Sequence, residues 1–254
     1  MKIKIINPNT TLEMTESIGA AGRSVARNGT EVVAVSPTFG PASIESYYDE
    51  MLCAPGVIDE VKKGDEEGFD AYIIACYGDP GLHAAREATQ KPVIGIAEAS
   101  LYIASILAAR FSIVTVIPRI KTVLEEMVAN YGFSHKVVSI RTTPLYVLDI
   151  EKDPAGALET LRAEARKAMA EDDAEAILLG CAGFAEFCDE LEQELGIPVL
   201  DGVVCAVKIA EGVVELGKNT SKYKTYRFPE AKAFTGMFKQ FGSVGRDDQA
   251  KAAE

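Results

Sequence analysis

Tryptophan is absent from this 254-residue chain, and histidine occurs only twice, at His83 and His135. A catalytic apparatus built on imidazole is therefore thinly supplied. No two histidines have metal-ligand spacing, no C-x-x-C occurs, and the step from Cys181 to Cys188 is too wide for a zinc knuckle. No metal site is expected. Gly78 and Gly81 fit neither a P-loop nor a G-x-G-x-x-G fingerprint, so nucleotide binding is not expected either. No apolar run approaches the roughly 20 residues that span a bilayer. The start, Met1 to Asn9, lacks the charged, apolar and cleavage-site regions of a signal peptide. A soluble, cytoplasmic protein without membrane association is expected. Positive charge is scarce: 26 Lys and Arg face 38 Asp and Glu, for a net charge of −12. Such a surface repels phosphate backbones and disfavours nucleic acid as a partner. The five cysteines are odd in number and no secretory signal precedes them, so they read as thiols rather than a disulfide framework.

What the chain has is an ample apolar fraction, 48 %, in a regular alternation. Short β-branched runs suggest strands at 3–6, 32–35, 71–75, 93–96, 111–116, 137–140, 176–180 and 199–200. Continuous apolar runs of this length fit strands buried on both faces. Between them lie helical patterns at 11–26, 55–68, 83–89, 100–109, 121–131, 154–172, 184–195 and 203–216. The alternation predicts an α/β fold with parallel sheets flanked by helices. The last helix is expected to return to the first half. The polar final ten residues read as a frayed tail.

A weak internal repeat supports two lobes. Asp70-Ala-Tyr-Ile-Ile-Ala-Cys76 resembles Glu175-Ala-Ile-Leu-Leu-Gly-Cys181, and Lys91-Pro-Val-Ile94 resembles Ile197-Pro-Val-Leu200. Each copy runs acidic residue, strand, cysteine, helix, proline, strand. A fainter match links the strand before Asn7-Pro-Asn9 with Phe111–Val116. The expected lobes are residues 1–97 plus 206–254 and residues 98–205, and if they face each other one cleft lies between them. In parallel α/β sheets ligands bind beyond the carboxyl ends of the strands. Cys76 and Cys181 both stand there.

Two thiols facing one cleft suit racemisation of a carbon acid, which needs a base on one face and an acid on the other. A helix N-terminus after each cysteine is expected to lower its pKa. Gly78 and Gly183 follow the two cysteines and let backbone N–H groups approach a developing enolate. The plainer alternative is that a buried cysteine fills core space. Cys53, Cys188 and Cys205 have no matching context and read as packing residues. Asn9 is a candidate donor to a substrate carbonyl, although Asn9 or Thr10 also reads as a helix N-cap. The Pro/Gly-rich loop from Ser36 to Ile44 lines the mouth of the site or is ordinary surface. Thr115 faces the cleft or serves its strand.

Taken together, Ile6-Asn-Pro-Asn-Thr10, Ala75-Cys-Tyr-Gly-Asp-Pro-Gly-Leu82, Pro92-Val-Ile-Gly-Ile-Ala-Glu-Ala99, Phe111-Ser-Ile-Val-Thr115, Leu179-Gly-Cys-Ala-Gly183 and Pro198-Val-Leu-Asp-Gly202 resemble the Asp/Glu/hydantoin racemase superfamily, from about Lys2 to Phe241. Within it the chain looks most like the hydantoin and allantoin racemases. The resemblance implies the Asp/Glu racemase-like fold, two pseudo-symmetric lobes with the active site between them, and a cofactor-independent, two-base mechanism on Cys76 and Cys181. It implies substrate contacts near Asn9, Ser43, Ile44, Tyr77, Gly78, Thr115, Ala182 and Gly183, a small hydantoin-like substrate, and a homo-oligomer. Glutamate and aspartate racemases carry Thr soon after their cysteines, where this chain has Cys76-Tyr-Gly-Asp and Cys181-Ala-Gly-Phe. The expected reaction is thus racemisation of a 5-substituted hydantoin, with allantoin favoured. An amino-acid racemase or maleate-type isomerase of the same superfamily is the enzymatic alternative. A two-lobed small-molecule binding module is the non-enzymatic one.

Overall fold

The computed structural model describes residues 1–242. The tail expected to fray lies outside the described residues. Eight strands and eight α-helices alternate along the described chain. Strands β1 (Lys2–Ile6), β2 (Glu31–Val35), β3 (Ala71–Ile74) and β4 (Val93–Gly95) form one sheet in the order β2-β1-β3-β4. Strands β5 (Phe111–Thr115), β6 (Val137–Thr142), β7 (Ile177–Leu179) and β8 (Val199–Asp201) form a second sheet in the order β6-β5-β7-β8. Every pairing is parallel. The orders superimpose when β1 is matched with β5 and β3 with β7. This is the correspondence the repeated segments suggest.

The interior strands β3, β5 and β7 are buried along their whole length because helices cover both faces. All of β3 and β5 is buried, and the side chains are mostly Ile, Val, Phe and Tyr. Burying each such side chain is worth roughly 1.5–3 kcal/mol. The helices are α1 (Leu12–Val25), α2 (Tyr47–Glu66), α3 (Leu82–Ala88), α4 (Ile96–Leu107), α5 (Lys121–Asn130), α6 (Pro154–Asp172), α7 (Cys188–Leu195) and α8 (Gly202–Glu215). The two sheets exchange helices. Helix α4 follows β4 but lies against β7 and β8, whereas α8 follows β8 and packs on β3, β4, α1 and α4. A Cβ at Gly202 would stand only 2.7 Å from the Ile96 carbonyl oxygen, so glycine permits α4 and α8 to start side by side.

Four elements differ from the sequence expectation. Helix α2 starts at Tyr47, not Pro55, and Pro55 lies inside it. Ser46 caps it by accepting from the Asp49 N–H, and the Asp49 carboxylate accepts from the Glu45 N–H at 3.1 Å. These bonds fix the helix start at Tyr47, and the internal proline leaves the Met51 carbonyl without its usual helical donor. Helix α4 starts at Ile96, directly off its strand, because the Asp79 carboxylate accepts from Ala97 N at 3.1 Å and Glu98 N at 2.9 Å. The segment after Cys181 is first a 3₁₀ turn, Ala182–Phe187, before α7 begins. The N-cap of α1 is Thr11 rather than Asn9 or Thr10, since helical geometry begins only at Leu12.

Candidate active site

The strands of each sheet end on a shared, narrow cleft. Asn7 and Asn9 enter it from the loop after β1, and Val116 from the corresponding position after β5. Cys76 stands two residues beyond Ile74, the last of β3, and Cys181 stands two residues beyond Leu179, the last of β7. One chain geometry, applied twice, delivers two thiols to one cleft from different sheets.

The loop after β3 is shaped by Asp79. Its N–H bonds the Cys76 carbonyl at 2.9 Å, and its φ of +48° is left-handed, which Asp tolerates better than most residues. The Gly78 N–H is thereby aimed at the Cys76 sulfur. On the other side the Phe184 N–H bonds the Cys181 carbonyl at 3.1 Å, and the Gly183 N–H faces the Cys181 sulfur. The glycine amides expected to approach a substrate thus rest on the thiols. Thiol ionisation differs from expectation. Burial pushes Cys76 well above the ordinary thiol value, and the Gly78 N–H offsets this only in part. Burial pushes Cys181 up to about 12, against the pull of the Gly183 N–H. Helix termini do not lower these thiols, because α3 begins only at Leu82 and a 3₁₀ turn follows Cys181.

The other anticipated residues divide. Ile44, Tyr77, Gly78 and Ala182 line the cleft beside the cysteines and Asn9. Tyr77 is buried, with its hydroxyl bonded to Ser100 Oγ at 2.9 Å. Asn9 is held by its own loop: its Oδ1 accepts from Asn7 Nδ2 at 2.8 Å and from Thr11 N at 2.9 Å. Its Nδ2 has only the weak acceptor Met14 Sδ at 3.2 Å. Thr115 is fully buried and is not part of the lining; its hydroxyl donates to the Gly180 carbonyl at 2.7 Å. Ser43 is half-buried, beside rather than in the lining, and Gly183 meets the site through Cys181.

Sequence reasoning missed an aliphatic wall of Met14, Ile44, Val116, Ile120, Leu124 and Val147, Ile44 excepted. No local signal marks such residues, because core and pocket positions look alike in sequence. It also missed Glu50 on α2. The Ser46-x-x-Asp49 cap would have found that helix start. No Lys, Arg or His lines the cleft among the described residues. A narrow, mostly aliphatic cleft with two thiols and a few amide donors is equipped to move a proton on a neutral carbon acid.

The profile of the family described as Asp/Glu/Hydantoin racemase matches residues 3–210. A hydantoin racemase of Pseudomonas sp. (strain NS671) is 65 % identical over 242 residues, which span 95 % of this chain and 97 % of that protein. An allantoin racemase from Klebsiella pneumoniae has a TM-score of 0.93 at 46 % identity, over 95 % of this chain and 99 % of its own. One from Pseudomonas fluorescens has a TM-score of 0.90 at 39 % identity, over 93 % of this chain and 100 % of its own.

Proposed function

The chain belongs to the Asp/Glu/hydantoin racemase family, and we propose that it racemises 5-monosubstituted hydantoins by two-thiol proton transfer between Cys76 and Cys181. The observation that carries this reading is the matched placement of the two cysteines, two residues beyond equivalent strands and lining one cleft. One sulfur, as thiolate, takes the C5 proton. The C–H electron pair moves into the adjacent C4 carbonyl as an enolate, and the thiol on the other face returns a proton to C5. The roles then reverse for the opposite enantiomer. The free Asn9 amide N–H is suited to hold the enolate oxygen, and the Gly78 and Gly183 amides stabilise whichever sulfur is ionised.

The substituent is read from the wall. Ile44, Ile120, Leu124 and Val147 favour an aliphatic 5-substituent, in keeping with the 65 % identical hydantoin racemase. Allantoin, with its polar ureido group, is the second reading, favoured by the similarity to allantoin racemases. The reading carries with it a cytoplasmic, cofactor-independent homo-oligomer acting on a small molecule. No helix among the described residues is long and apolar enough to cross a membrane.

The test follows the circular dichroism of single enantiomers of a 5-alkylhydantoin and of allantoin, with spontaneous racemisation as blank. Accelerated decay that vanishes in Cys76→Ser/Cys181→Ser is expected. The faster of the two substrates fixes the substituent. No acceleration on any hydantoin, with small-molecule binding retained in the double variant, would instead support a binding module.

A further inference from the structure

The proposed chemistry needs a thiolate, yet the cleft discourages one. Cys181 is buried and Cys76 half-buried, desolvation raises both thiols, and no cationic side chain lines the cleft among the described residues. Creating a thiolate by losing a proton to bulk water would bury a new negative charge. Transfer of that proton to an anion already in the cleft leaves the net charge unchanged and avoids that cost.

One such group is present. Glu50 projects from α2 into the cleft that holds Cys76 and Cys181. Its Oε1 is buried and has no hydrogen-bond partner. Unpartnered buried carboxyl oxygens are costly and rarely kept without use. The carboxyl lies against Gly78, where any Cβ would collide with Oε1, and Gly78 is the residue whose N–H is aimed at the Cys76 sulfur. Glu50 and Cys76 feel each other electrostatically. On its far side Glu50 also lines a surface hollow with Asp79, His83, Glu126 and Tyr131. A proton collected there has a route to water. Burial, then the charges of Asp79 and Asp49, raise Glu50 to about 7, a value suited to a base near neutrality.

We propose that Glu50 is the proton acceptor that ionises Cys76. The Sγ–H bond breaks and its electron pair stays on sulfur; the proton passes through one bridging water, which gives a proton to Oε1 as it takes one from sulfur, so that an O–H bond forms on Oε1. The proposal rests on Cys76 being one of the two proton-transferring thiols. Glu50 acts through Cys76 and is given no contact with substrate. The charged and titratable neighbours that face it are Asp49, Tyr47 and Cys53 on its own helix, Asp79 and Cys76 on the β3 loop, and His83, Glu126 and Tyr131 across the hollow.

The test is the rate at which iodoacetamide alkylates Cys76 and Cys181 in the full-length protein without substrate, read by peptide mass spectrometry across neutral and alkaline pH. The parent is expected to show a rise at Cys76 centred near neutrality. In Glu50→Gln that rise moves to alkaline pH, and alkylation of Cys76 at mildly alkaline pH slows roughly tenfold or more while Cys181 is unchanged. Glu50→Asp, which keeps a carboxyl on a shorter arm, is expected to fall between and serves if the Gln variant does not fold. The opposite sign is informative. If Glu50 were only a nearby negative charge, its removal would ease ionisation and speed Cys76. Equal or faster alkylation of Cys76, or equal slowing of both cysteines, overturns the proposal. Because no substrate enters the assay, failure of the racemase reading would appear separately, as absent circular dichroism decay with this alkylation pattern intact.

Discussion

Tyr131 donates from its hydroxyl to Asp79 Oδ2 at 2.8 Å, joining the C-terminal end of α5 to the loop that carries Cys76. The same carboxylate caps α4, and it fills the space where a Cβ at Gly95 would stand. In the second sheet the residue matching Gly95 is Asp201, which caps α8 with its own carboxylate at 2.9 Å from Val204 N. The first lobe thus borrows from the cysteine loop a cap that the second lobe supplies from its strand. Burial raises Asp79 from 3.8 to about 7 despite these donors. The native state therefore binds more protons than the unfolded chain between those values, and stability falls as pH rises from about 4 to about 7. Glu50 and Asp201 are raised in the same direction. Asp79→Asn tolerates the left-handed backbone and keeps an acceptor. It is expected to flatten the slope of unfolding free energy against pH by up to about 1.4 kcal/mol per unit, measured by urea titration.

The two thiols are expected to be separable. Cys76→Ser and Cys181→Ser should each lower racemisation by roughly 10²–10⁴-fold. Each single variant should still exchange the C5 hydrogen of one enantiomer with deuterated solvent, and the preferred enantiomer should be opposite in the two. Proton NMR of the C5–H signal reads this. Exchange of the same enantiomer in both variants would place the thiols on one face and refute the two-base scheme.

Thr115 is expected to act on the site without touching substrate. Its hydroxyl satisfies the Gly180 carbonyl immediately before Cys181. Thr115→Val keeps the shape and orphans that carbonyl, at a cost of roughly 1–3 kcal/mol. Thermal unfolding should show the loss. The alkylation rate of Cys181, more than that of Cys76, should change.

Gly202→Ala should test the exchange of helices between lobes. The added methyl would stand 2.7 Å from the Ile96 carbonyl oxygen and 2.9 Å from Ile96 Cβ, and backbone on both sides leaves little room to yield. Overpacking of this kind costs roughly 1–3 kcal/mol. A melting temperature equal to the parent's would show that α4 and α8 are not so closely apposed.

Much of this was legible in the sequence because it depends on local pattern. Short apolar runs such as Ala71–Ile74 and Phe111–Thr115 announce strands buried on both faces. A cysteine at the same station of two repeated segments announces a pair. Where a helix is started by a group from elsewhere, the pattern misleads. Pro55 looks like the first turn of α2 because proline favours that position, yet the helix has already been running since Tyr47. Helix α4 looks as though it starts late, because its cap, Asp79, comes from another loop.

The sequence by itself determined the alternation of strands and helices, the duplication and the two candidate thiols. These follow from side-chain periodicity and from spacing along one segment. Only the tertiary structure decided how the cleft is furnished. It turned Thr115 inward to Gly180, brought Met14, Ile120, Leu124 and Val147 together as a wall, and set an unpartnered Glu50 against Gly78 beside Cys76. It also reversed the expected direction of the thiol pKa values, since burial by distant segments outweighs one nearby N–H. Burial and electrostatics depend on every chain segment within a few ångströms, and residues far apart in sequence become neighbours only when both sheets are folded and facing.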